Sequence, residues 1–334
     1  MRQIVPQSVR HIGNSGMAAS ALGLGCMGMS EFYGATDEAQ SLATLAAAFD
    51  AGVTLFDTAD TYGFGHNEQL LGRFLQGKRS RVLVATKCGL AREPGGYARR
   101  VDNSAAYIRQ ACEASLQRLG VDTIDLFYLH RINLDTPLEE SMGALAQLRQ
   151  QGKIRAIGLC EVGPQTLLRA AAIAPVAAVQ SEYSLWTREP EQGVLAACRT
   201  VGASFVAYSP LGRGFLTGAV HDVAALEPND FRRFNPRFAA ENMARNQAIV
   251  APLRRMAQEK QCTPAQLALA WLLAQGDDII AIPGTKRIVY LHDNLGALAV
   301  RLSPAELDAM AHAFPPGAAF GARYTDEGMK GVDA

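Results

Sequence analysis

An alternation constrains this chain more than any other feature. Short runs of β-branched and aliphatic residues recur along nearly its whole length, each followed by a longer amphipathic stretch. The runs are Ala21–Gly25, Thr54–Asp57, Val82–Lys87, Ile124–His130, Arg155–Cys160, Ala177–Ser181, Ser204–Tyr208 and Ile279–Pro283. Between them the periodicity predicts helices from an Asp37 cap to Ala51, from Asn67 to Gly77, and over Asn103–Leu119, Thr136–Gln151, Gly163–Ala172, Pro190–Val201 and Thr263–Gln275. Asn103, Thr136 and Thr263 are expected N-caps, and Pro264 suits a first helical turn. Strands that alternate with helices pair in parallel through right-handed crossovers. Eight such units close into a (β/α)8 TIM barrel more readily than they form an open sheet, and 334 residues fit one barrel domain over 1–334.

Three stretches break the repeat. Residues 8–20 carry an Asn-Ser-Gly turn between short apolar runs, which predicts a β-hairpin ahead of the barrel. Residues 211–247, rich in Gly, Pro, Arg and Asn, read as a long functional loop. A C-terminal helix is followed by an irregular tail from Pro315.

Composition excludes several classes. Basic and acidic residues balance at 32 each, so no net field draws in nucleic acid or anionic lipid. No apolar run reaches the ~20 residues of a membrane helix, and the N-terminus lacks a secretory core. Six scattered cysteines without a CxxC pair predict reduced thiols in a cytoplasmic protein, with no disulfide frame and no metal site. Nothing in the sequence reads out a homo-oligomer.

A barrel works at the C-terminal ends of its strands. Those ends carry Asp57, Lys87, His130, Cys160, Gln180 and Tyr208, with Tyr62 five residues beyond Asp57. This set suits proton donation to a carbonyl oxygen. A tyrosine with its ordinary pKa near ~10 is too weak an acid at neutral pH, and a nearby ammonium lowers it. A carboxylate keeps that ammonium charged, and a histidine orients the substrate oxygen. Tyr62, Lys87, Asp57 and His130 supply these four roles. Singly, each residue has a duller meaning: a strand-end cap, a Schiff-base lysine, a rim aromatic.

The residues around them are not anonymous. GVTLFDTADTYGFGHNEQLLG (52–72), VLVATK, IDLFYLHRI, GKIRAIGLCEV, AVQSEYSL, VAYSPLGRGFLTG and IPGTKRIVYLHDNLGAL resemble the blocks of the aldo-keto reductase family, in that family's order. LGCMGMSEFYG and FNPRFAAENMARN resemble its pyridoxal and perakine reductase branch. The resemblance implies NADPH-dependent reduction of an aldehyde or ketone, a small-molecule carbonyl substrate. It places the cofactor along Gly25, Cys26, Met27 and Asp57. Cys160, Glu161 and Gln180 would hold the carboxamide, with Tyr208 stacked on the nicotinamide. Ser209, Pro210, Leu211 and Gly212 would follow the pyrophosphate, Gly284, Thr285, Lys286 and Arg287 would take the 2′-phosphate, and Asp293 and Asn294 would face the adenine. A helix N-terminus with cationic side chains is a sound phosphate site. Cys160 stands where many relatives carry Ser or Thr, and a thiol is a weak donor.

Two other readings compete. Potassium-channel β subunits share these motifs, so the chain could serve as a nucleotide-sensing module. A Schiff-base lyase would use Lys87 as nucleophile but leaves Asp57, Tyr62 and the Lys286–Arg287 pair without a common purpose. Substrate choice is expected to rest on loops near 28–35, 92–100, 186–190 and 211–240.

Overall fold

The computed structural model describes residues 8–92 and 99–333. An antiparallel hairpin, β1 (Val9–His11) and β2 (Ala18–Ser20), comes first. The barrel strands are β3 (Leu24–Gly25), β4 (Leu55–Asp57) and β5 (Leu83–Cys88). A second hairpin interrupts them, β6 (Leu90–Arg92) and β7 (Arg99–Val101). Then follow β8 (Ile124–Leu129), β9 (Ile154–Cys160), β10 (Val176–Glu182), β11 (Ser204–Tyr208) and β12 (Ile279–Ala281).

The eight barrel strands pair in parallel in the order β12-β11-β10-β9-β8-β5-β4-β3. The edges meet: Gly23 N–H donates to the Ala281 carbonyl at 2.8 Å, and Ala281 N–H to that of Ala21 at 3.0 Å. The barrel is thereby closed.

Alternation along each strand divides the core in two. In β8, Leu126 and Tyr128 join Leu55, Ala85, Ala156, Cys160, Ala178, Val206 and Ile280 inside the barrel. Phe127 and Leu129 instead face the helical shell. Ile12 and Met17 of the first hairpin belong to the inner cluster, so that hairpin plugs the N-terminal mouth. Inside, Gly158 of β9 leaves room for the Tyr128 ring, into which a Cβ would project. The interior is filled below, and a cavity of the described residues opens at the opposite rim.

The shell comprises α1 (Glu38–Asp50), α2 (His66–Leu75), α3 (Ala105–Leu119), α4 (Leu138–Gln150), α5 (Pro164–Ile173), α6 (Val194–Val201), α7 (Ala240–Glu259), α8 (Pro264–Leu273), α9 (Ile288–Leu295) and α10 (Pro304–Ala313). Thr263 caps α8 in a full capping box with Gln266, and Asp37 caps α1, both as expected. Two expected caps differ. Ser104 caps α3, because Asn103 is diverted to bind the Arg131 carbonyl and the Asn133 N–H. Pro137 rather than Thr136 precedes α4.

The excursion at 211–247 is not a plain loop. It folds into short 3-10 turns and leads into α7, 20 residues long with Pro252 inside. Its buried positions, Met243, Asn246, Ile249, Val250, Leu253 and Ala257, keep a helical spacing that polar neighbours dilute. The tail runs back across the open rim and forms a short helix, α11 (Asp326–Met329). Among the described residues no helix is long and apolar enough to cross a membrane.

Candidate active site

At the open rim lies a cavity of about 760 Å³, lined from the ends of several strands and their loops. Its floor is an ion pair that burial would otherwise forbid. Lys87 is fully buried and Asp57 is 3% exposed. Lys87 Nζ donates to Asp57 Oδ1, to the Thr58 carbonyl at 2.7 Å and to the Tyr62 hydroxyl at 3.3 Å. Gln180 Nε2 holds the other oxygen, Asp57 Oδ2, at 2.7 Å. The neighbouring β4 and β5 supply Asp57 and Lys87, β10 supplies Gln180 from across the barrel mouth, and the turn after β4 folds Tyr62 over them.

Burial works against the Lys87 ammonium, but Asp57, Tyr62 and Cys160 more than restore it, so its pKa lies above the usual lysine value. The Asp57 carboxyl is pushed up by burial and pulled back by Lys87 and Gln180. Burial also raises the Tyr62 phenol, against the downward pull of Lys87. The expectation of a lowered tyrosine is thus half met: the ammonium is in place, and desolvation outweighs it.

His130 stands edge-on to Tyr62, ring centroids 5.9 Å apart. Burial, then the charges of Lys87, Arg131, Arg99 and Arg92, hold its pKa well below the ordinary value. The imidazole is therefore neutral, with one N–H to offer. Its Nδ1 is buried and has no partner among the described residues.

The residues expected along the cofactor divide. Gly25, Cys26, Met27, Asp57, Cys160, Gln180, Tyr208, Ser209, Pro210, Leu211, Gly284, Thr285, Lys286, Arg287, Asp293 and Asn294 all line the cavity. Glu161 and Gly212 do not. The Glu161 carboxylate is fully buried, pairing with Arg323 at 2.5 Å and accepting the Glu182 N–H at 3.1 Å, so it has turned to the tail. Gly212 packs against Trp186, itself a buried core residue stacked on Phe215. Lys286 is engaged, donating to the carbonyls of Tyr33 and Ala35. Burial pushes the Cys160 thiol up, so it remains protonated.

Several lining residues were not singled out in the sequence. Tyr324 of the tail bonds the Tyr208 hydroxyl at 2.7 Å and forms part of the wall. Arg92, Arg99, Arg131, Arg213 and Arg232 also line it. A balanced overall charge concealed this local excess, though Arg131 could have been found from its place beside His130. Of the loop 92–100, residues 93–98 lie outside the described residues.

Among the described residues, six non-glycine positions have positive φ, and Phe32, Phe64, Glu161, Ser209 and Arg213 are five of them. All five sit at this rim. Backbone strain of this kind gathers where a site imposes it.

The sequence profile described as the Aldo/keto reductase family matches residues 21–313. The chain belongs to that family. The NADP(+) aldo-keto reductase yakc of Schizosaccharomyces pombe is 46% identical over 320 residues, 94% of each chain. Among solved structures, a glycerol dehydrogenase from Gluconobacter oxydans superposes with TM-score 0.83 at 30% identity, covering 93% of this chain and 96% of its own. An aldo/keto reductase from Klebsiella pneumoniae, solved in complex with NADP and acetate, superposes with TM-score 0.74 at 28% identity, covering 95% and 98%. This aldo/keto reductase thus matches its relatives over nearly the full length of each.

Proposed function

We propose that the protein reduces an aldehyde or ketone with NADPH, Tyr62 donating the proton. One observation carries the reading: the Tyr62 hydroxyl lies 3.3 Å from a buried ammonium that Asp57 holds charged, at a cavity of about 760 Å³. The cavity's lining suits that cofactor. Arg287 stands at the N-terminus of α9, where backbone amides and a cationic side chain favour a phosphate, with the engaged Lys286 beside it. Tyr208 offers an aromatic surface beside Cys160 and Gln180.

NADPH, when bound, supplies the hydride. This chain's residues do the rest. Tyr62 Oη gives its proton to the carbonyl oxygen as negative charge develops there. Lys87 stabilises the phenolate left behind, and Asp57 keeps Lys87 protonated. The neutral His130 donates to the same oxygen and fixes its direction. Cavity walls formed by Phe32, Tyr33 and Tyr324 shield these groups from water.

Tyr62→Phe removes the acid and keeps the ring. Its expected effect on NADPH oxidation with an activated aromatic aldehyde is a fall of about 10²–10⁴-fold. NADPH binding, followed by fluorescence, is expected to survive. Near-normal turnover in the variant would remove Tyr62 from this role. Nucleotide binding without turnover in the wild type would instead favour the sensing module.

A further inference from the structure

Apart from Lys286 and Arg287 at the α9 end, the cavity's cations fall into two groups. Arg213 is paired with Glu182 at 2.6 Å, Arg232 with Asp230 at 2.6 Å and Arg92 with Glu31 at 2.9 Å. Arg99 and Arg131 have no carboxylate partner among the described residues. Arg131 is 4% exposed; its Nη1 returns to the His130 carbonyl at 2.8 Å, and its Nε is buried with no partner. Arg99 closes the second hairpin opposite Arg92, and its backbone N–H donates to Glu327 at 2.9 Å. Both residues line the cavity, and both act on the charge of His130. Their charges, with that of Arg92, are among those that depress the histidine.

Two guanidiniums near one another without a direct carboxylate partner among the described residues are costly away from water, since each is desolvated and each repels the other. At Arg131 the neighbouring Tyr208 and Glu161 offset that cost, and at Arg99 burial prevails. Burial and the neighbouring Arg131 and Arg92 work against the charge of Arg99. Such a site is completed by an anion from outside. The cofactor's phosphates are already served by the α9 end of the cavity, where Arg287 stands. The charges of Arg99 and Arg131 lie instead near His130, at the end where the carbonyl must sit. A guanidinium fork matches two oxygens of one anionic group.

We propose that Arg131 and Arg99 form a subsite that selects carbonyl substrates bearing a carboxylate or phosphate monoester. The anionic group rests against the two guanidiniums while the carbonyl oxygen faces Tyr62 and His130. This rests on the reductase reading above and names the substrate class of the same site.

The test compares kcat/KM of the wild type, with NADPH, for 4-carboxybenzaldehyde, 4-formylphenyl phosphate and the neutral methyl 4-formylbenzoate. At least one charged aldehyde is expected to exceed the ester by about ten-fold or more, and the better of the two identifies the group. In Arg99→Gln and Arg131→Gln that ratio is expected to fall toward unity, chiefly through KM. Arg99 is half-buried, so its variant still reports should Arg131→Gln fold poorly. A wild-type preference below ten-fold for both charged compounds, or a preference unchanged in the variants, overturns the proposal. So does a loss of NADPH affinity matching the loss of charged-substrate turnover, which would assign the two arginines to the cofactor. If no aldehyde is turned over, the reductase reading fails separately. Calorimetric binding of 4-(hydroxymethyl)benzoate against its methyl ester then decides the subsite: tighter binding of the acid supports it, equal binding overturns it.

Discussion

Asp60 shows how far a single residue's surroundings can move its chemistry. It follows β4 by three positions, and burial beside Glu68 lifts its carboxyl to about 8 from an ordinary value of 3.8. Its Oδ1 has no partner among the described residues. The unfolded chain releases this proton near pH 4 and the folded chain only near pH 8. Stability from this group is therefore full at acid pH and is lost as pH rises through that window. Asp60→Asn has no proton to lose. Relative to wild type, urea unfolding should find it more stable at pH 8 than at pH 4.5 by on the order of 1–3 kcal/mol. An equal difference at both pH values would show that the carboxyl ionises freely. Cys160 is a second local case. A protonated thiol lines the cavity beside Gln180, and a hydroxyl is the better donor. Cys160→Ser is expected to keep or tighten NADPH binding in a fluorescence titration; a large loss of affinity would mean the thiol's size matters more than its donor strength.

At the scale of elements, strand ends were more legible than the segments that wall the site. The runs ending at Asp57, Lys87 and Tyr208 carry their side chains to the rim because one register places them there: Asp57 beside Ala85, Lys87 beside Tyr128, Glu182 beside Tyr208. Interior filling follows from the same strands. Gly158→Ala would drive a methyl into the Tyr128 ring, which has nowhere to move in a packed barrel. A loss of about 1–3 kcal/mol is expected in chemical unfolding, and a neutral result would mean that the ring can turn aside. The hairpin β6–β7 and helix α7 escaped the sequence for definite reasons. The hairpin strands Leu90–Arg92 and Arg99–Val101 are three residues each, too short to show a period of two. In α7, polar residues and Pro252 obscure a stripe that only contact with the barrel defines.

For the molecule as a whole, the tail is the part that joins distant pieces. Arg323 pairs with Glu161, Tyr324 with Tyr208, and Asp333 N–H with the Glu161 carbonyl at 2.9 Å. The first of these leaves a fully buried carboxylate dependent on a residue 162 positions away. Arg323→Ala strands that charge, and the expected cost is about 3 kcal/mol. Thermal unfolding should register the loss, and limited proteolysis should cut the tail sooner than in wild type. An unchanged melting temperature would show that the Glu182 N–H suffices to hold Glu161.

The sequence by itself determined the barrel and the hairpin ahead of it, and it singled out Asp57, Tyr62, Lys87 and His130 as candidates. Strand and helix periodicities are local, and the strand ends follow from them without knowledge of any contact. It did not determine which residues face one another across the rim. Glu161 turns from the expected cofactor wall to a tail arginine, and Gly212 turns to Trp186. Arg99 and Arg131 meet the cavity from different elements, and their lack of a carboxylate ion pair among the described residues shows only once the fold has paired the other arginines. Burial, which moves the Tyr62, His130 and Asp60 protons, is likewise a property of packing among segments far apart in the chain, so only the tertiary structure decides it.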